Sequence, residues 1–98
     1  MKKYRYEISV KATADRDGQA ISTGEPLVFN AATHDELFDI VARARSMKLF
    51  DDETAVSFAV GLKLFSEVML TNRDSELFKD LAPHFGAFMK KLKSQARS

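Results

Sequence analysis

The sequence predicts an α+β domain in which a small antiparallel β-hairpin is followed by three helices packed on one of its faces, in the order β-β-α-α-α. Three observations carry this. Residues Tyr4 to Ala12 alternate apolar and polar side chains, the period of a half-buried strand. A second short apolar run, Leu27-Val28-Phe29-Asn30-Ala31, follows two polar breaks. From Asp52 to Leu70 the chain is apolar almost all the way round a helix, so that helix is packed from more than one side and forms the axis of the fold.

Each element has a local cause. In the first strand Tyr4, Tyr6, Ile8, Val10 and Ala12 face the core, while Arg5, Glu7, Ser9 and Lys11 face water. Asp15-Arg16-Asp17-Gly18 is a turn, with Gly18 able to take positive φ. Pro26 suits the start of the second strand, where no ladder hydrogen bond is lost. Ile21 extends the pairing into the long connection. Thr33 and Glu36 have the spacing of a capping box for a first helix over about His34 to Ser46. Leu37, Ile40, Val41, Ala44 and Met47 share one side of it.

The acids Asp51, Asp52 and Glu53 open the central helix with the charge that its N-terminal dipole favours. Its main stripe is Phe58, Leu62, Phe65 and Met69, and Val56, Val60 and Leu64 form a second stripe pointing away from the first. Gly61, in mid-helix, predicts the close approach of another backbone. Ser75 caps a short turn carrying Leu77, Phe78 and Leu81, and Pro83 suits the first position of the last helix, which makes a fourth helix if the two are separate. That last helix turns Phe85, Phe88, Met89 and Leu92 inward. Residues 1–98 make one domain, with Gln95 to Ser98 frayed.

Composition excludes more than it selects. The net charge of +1 gives no global pull towards polyanions. With no cysteine, disulfides, thiolate nucleophiles and cysteine-ligated metals are excluded. Met1 to Arg5 lead into no apolar core of a signal peptide, and no apolar stretch is expected to reach the roughly 18 residues of a membrane span. The expected location is cytoplasmic, without membrane contact. His34-Asp35-Glu36-Leu37 spells a retention signal that is read only at a free C-terminus, and here it is internal.

Chemistry is thinly signalled. His34 and Glu36 match half of the zinc deaminase signature, whose cysteine half cannot exist here. His84 stands beside a core aromatic. The acid pairs Asp51 with Asp52 and Asp35 with Asp39 are explained by helix N-termini. No phosphate-cradling glycine loop or serine-nucleophile box is present. The expectation is therefore no catalytic residue, no cofactor and no metal. Lys90, Lys91, Lys93 and Arg97 form an acid-free basic end that would serve nucleic-acid binding as one alternative function, and a small-ligand binder or enzyme with an unrecognised site at His34 or His84 is the other. Phe38 lies off the stripe of its helix and Phe50 lies just ahead of a cap. With Val56, Val60 and Leu64 they compose a candidate apolar interface. A two-stranded sheet leaves both edges open, so the leading expectation is a non-enzymatic, homodimeric protein-interaction module.

The segments Lys3 to Val10, Pro26 to Phe29, His34 to Phe38, Ala59 to Leu70 and Phe85 to Leu92 together resemble a family of short bacterial proteins known as a domain of unknown function. The resemblance spans nearly the whole chain and is most specific in the central helix. It implies a bacterial protein of about this fold and carries over no catalytic or ligand residue.

Overall fold

The structure is a computed structural model that describes residues 2–96. Two strands, β1 (Tyr4–Val10) and β2 (Leu27–Thr33), precede four helices, α1 (Leu37–Ser46), α2 (Asp52–Thr71), α3 (Glu76–Lys79) and α4 (Leu81–Ala96). The mixed α+β class and the element order follow the sequence pattern, and the last helical region is split in two. The strands pair antiparallel from Tyr4 opposite Thr33 to Val10 opposite Leu27. Pairing reappears beyond them as a bridge between Ala14 and Ala20, with Ile21 N–H donating to the Thr13 carbonyl at 2.9 Å. At the turn, the Asp15 carboxylate accepts from the amides of Asp17 and Gln19 while Gly18 takes φ +85°.

Helix α1 begins three residues later than the capping-box spacing predicts. The Thr33 hydroxyl is buried and donates to the Asp35 carbonyl at 2.6 Å, so it is not the cap. Instead the Glu36 carboxylate accepts from the amides of Phe38 and Asp39, and the Tyr6 hydroxyl accepts from Leu37 N–H at 2.8 Å. A strand tyrosine thus closes the end of a helix. The helix stops where Lys48 enters the left-handed region at φ +59°. Asp51 caps α2 as its sequence suggests, accepting from Thr54 N–H at 2.8 Å, and this bond holds its carboxyl below the usual carboxylate range.

Helix α2 is the axis of the fold. Ala55 and Ala59 are buried against Ala44 of α1, with Ile40 and Val41 packed around them. Three alanines at the seam bring the two helix backbones close, a role the larger apolar residues of α2 do not play. By length and composition α2 is apolar enough to cross a membrane, which corrects the expectation that no stretch reaches that length. Here Lys63 and Glu67 on it are paired with charged groups of other elements, and its phenylalanines are engaged by α3 and α4. Gly61 is exposed, and a Cβ there would meet nothing within 4 Å, so close approach of a backbone does not explain it. Pro83 sits third in α4 rather than first, and the helix continues through Gln95 and Ala96, past the expected fraying point. Arg97 and Ser98 lie outside the described residues.

Candidate interaction surface

Two arrangements build the body of the protein, and they define what is left uncovered. The first is a polar clip. The Glu67 carboxylate accepts the His34 backbone N–H at 2.8 Å, lies 2.7 Å from His34 Nδ1 and meets Lys3 Nζ at 3.2 Å. Burial pushes this carboxyl up, but the bonds from His34 and Lys3 outweigh it and hold the group below the usual glutamate range. Beside it, Lys63 Nζ meets Asp35 at 2.7 Å, and that bond, against partial burial, lowers the Asp35 carboxyl. The clip ties the start of β1 and the β2–α1 junction to α2. Its geometry accounts for His34 as a structural residue.

The second is a ladder of aromatic rings. Phe50 meets Phe58 in a tilted contact at 5.3 Å between centroids, Phe58 meets Phe88 at 6.5 Å, and Phe88 meets Phe85 at 6.2 Å. Phe85 and Phe78 then both meet Phe65 at 5.9 Å. Edge-to-face and tilted rings at these distances contribute about 0.5–1.5 kcal/mol each beyond their buried area. Phe50, offered by the sequence as an exposed patch residue, is half-engaged in this ladder. Phe38 touches the Tyr6 ring at 6.2 Å and is otherwise open, with 73% of its surface exposed.

Between α1, α2 and α4 runs a groove of about 320 Å³, floored by Ile40, Met47, Phe58, Leu62, Met89 and Leu92. Among the described residues, none of the principal cavities is lined by His34 or His84. Nor does any group of three or more histidine and acidic side chains there have the placement of a metal site. Of the basic residues of α4, Lys90 and Lys93 are three apart and share one side of the helix. Lys93 stands at the groove beside Arg43, and Lys91 lies beside Leu49 and Phe50. Lys90 is exposed, and Arg97 falls outside the described residues.

The apolar surface is where the fold is least complete. Val56, Val60 and Leu64 are half-buried. Besides Phe38, open apolar residues lie in the hairpin (Val10, Leu27, Val28 and Phe29), at the end of α2 and beyond it (Val68, Leu70 and Leu77), and singly along the helices. Leu27 is 64% exposed and Leu77 78%. The sheet residues that are not fully open are Tyr6, Ile8, Ala31, Ala32 and Thr33, and the outer part of the hairpin stands out as an arm. Sequence reasoning assigned Leu27 to Phe29 to a strand, but strand periodicity does not reveal how far a helical layer reaches.

Residues 4–94 match the model of DUF3861, a domain of unknown function with solved structure, and the chain belongs to that family. No curated protein matches the chain. Among solved structures it is similar to a protein of unknown function from Pectobacterium atrosepticum. The two share 33% identity with a TM-score of 0.81, over 95% of this chain and 99% of the other. Neither the family nor that protein brings an assigned function to the site.

Proposed function

We propose that this protein is a non-enzymatic, self-associating interaction module that works as a homodimer. One observation carries the reading: the chain exposes 8042 Å². A compact monomer of 11.0 kDa is expected to expose about 5,600 Å². The excess is larger than the roughly 800 Å² per partner that a standard interface buries. The shape agrees with this. The radius of gyration is 15.9 Å, where a compact chain of this length has about 12.5 Å.

Val10, Leu27, Val28 and Phe29 are exposed on a two-stranded sheet, the kind of surface that a partner covers. The hairpin arm is the principal contact in this reading. Val56, Val60 and Leu64, being half-buried, offer a smaller second one. The test is the concentration dependence of thermal unfolding. A chain stabilised by its own copy melts at higher temperature as protein concentration rises. A midpoint that stays constant over a hundredfold range of concentration would refute the proposal.

A further inference from the structure

Self-association leaves open which surface meets which, and β2 is the strand whose sequence and environment disagree. Its residues, Leu27-Val28-Phe29-Asn30-Ala31-Ala32-Thr33, carry no charge. Alternate side chains point to opposite faces, so Leu27, Phe29 and Ala31 lie on one face and Val28 and Ala32 on the other. Asn30 shares the second face and Thr33 the first, so the strand is uncharged and mostly apolar on both faces, the composition of a strand flanked by neighbours on both sides. Here it has one neighbour. Among the described residues its ladder bonds run only to β1, and no backbone bond joins it to any helix. Every second residue of β2 therefore turns its N–H and C=O towards an edge that no strand covers, and Leu27 to Asn30 are exposed along it.

Strand β1 is the reverse case. It alternates Tyr4, Tyr6, Ile8 and Val10 with Arg5, Glu7 and Ser9, and charged residues of this kind guard a natural edge strand. The uncharged strand is open over its first half and covered at its Thr33 end. The first four residues of β2 are all exposed, whereas Tyr6 and Ile8 of β1 are half-buried. As the protomer stands, an interior strand sits at the edge, next to an edge strand.

We infer that the free edge of β2 pairs antiparallel with the same edge of a second copy, about a two-fold axis at Asn30. This forms a four-stranded sheet in the order β1-β2-β2-β1. The inference rests on the proposed self-association and adds its surface and register. With the axis at Asn30, Val28 faces the partner's Ala32 and Phe29 faces the partner's Ala31, and the buried Thr33 lies beyond the new pairing. No charge meets a like charge. Both β2 strands become interior, and both outer edges are β1, with Arg5 and Glu7 on them.

The absence of cysteine makes the test clean. Asn30→Cys places two thiols directly opposite each other, where Cα atoms of antiparallel pairs lie about 4.5–5.5 Å apart, inside the span of a disulfide. Glu7→Cys is the control: Glu7 is exposed and lies opposite Asn30 within the hairpin, but on the β1 side. Each variant is oxidised with copper phenanthroline and resolved on a non-reducing gel. The wild-type mass is measured by sedimentation at the same concentrations.

The inference predicts near-complete loss of the 11.0-kDa band for Asn30→Cys and its retention for Glu7→Cys. Loss of the band for Val28→Cys or Ala32→Cys instead would support the same edge with the axis moved by two residues. A wild-type dimer in which none of the three β2 cysteines crosslinks would overturn the inference and leave self-association standing. So would one in which Glu7→Cys alone crosslinks. A wild-type monomer throughout would overturn both.

Discussion

Replacing Glu67 by alanine removes the acceptor on which the junction of β1, β2 and α1 with α2 depends. Its carboxylate takes the His34 backbone N–H at 2.8 Å and lies 2.7 Å from the imidazole Nδ1 and 3.2 Å from Lys3 Nζ, in a side chain that is only 13% exposed. A hydrogen bond to a charged group contributes about 1.5–3 kcal/mol net. The Lys3 pair is partly in water and adds at most about 1 kcal/mol. Together these give an expected loss of about 2–4 kcal/mol for Glu67→Ala and about 1–2 kcal/mol for Glu67→Gln, which keeps an accepting oxygen. A domain of this size has only about 5–15 kcal/mol of total stability, so either change is measurable by urea unfolding at fixed protein concentration.

The effect carries a pH signature. Because the folded-state pKa of Glu67 is depressed, its stabilisation is complete above the unfolded value of about 4.3 and is lost as pH falls through the lower folded value. Asp35 and Asp51 are depressed too and act in the same direction. Wild-type stability therefore declines between about pH 5 and pH 3, and the gap to Glu67→Gln narrows over that window. A gap that is within about 0.5 kcal/mol at neutral pH, or that widens on acidification, would refute the role given to this clip.

Further outcomes follow from the same packing. Gly61→Ala should stabilise by about 0.4–1 kcal/mol, because the position is helical and its Cβ meets open space; a loss in chemical denaturation would show that another backbone does approach there. Ala59→Leu should destabilise by about 1–3 kcal/mol by forcing α1 away from α2, since Ala59 is buried in the alanine seam; a neutral result would contradict that seam. Phe85→Ala, which breaks the ring ladder in its middle, should destabilise by about 2–4 kcal/mol. Lys48→Gly should stabilise by about 1 kcal/mol, since Lys48 ends α1 in the left-handed region. Thermal melts of the two variants check both signs.

Periodicity made the skeleton legible. Alternation located β1, the apolar run located β2, and the nearly all-round apolar pattern of Asp52 to Leu70 identified the axial helix that α1, β2, α3 and α4 surround. Local capping chemistry was readable where donor and acceptor are close in sequence, as at Asp51 and Ser75. It failed at Thr33, because the competing acceptors are Glu36 and the hydroxyl of Tyr6, which is remote in sequence and arrives only when β1 folds over α1. The Glu67 clip was invisible for the same reason: its partners lie 33 and 64 residues away.

The sequence does not show which apolar residues the fold leaves open. Helical spacing grouped Val56, Val60 and Leu64, whereas what leaves a residue open is the extent of its neighbours, and the helical layer stops short of Leu27 to Phe29. Of the basic residues grouped by the sequence, Lys90 and Lys93 share one side of α4, Lys91 lies beside Leu49 and Phe50, and Arg97 falls outside the described residues.

The central claim is that this chain is completed by a second copy of itself, and its mass in solution tests that most directly. Light scattering across a range of protein concentrations is predicted to give twice the 11.0-kDa chain mass, dissociating only on dilution. A mass that stays at that of one chain at the highest concentrations would contradict the claim, and the apolar surface of the hairpin would then need another explanation.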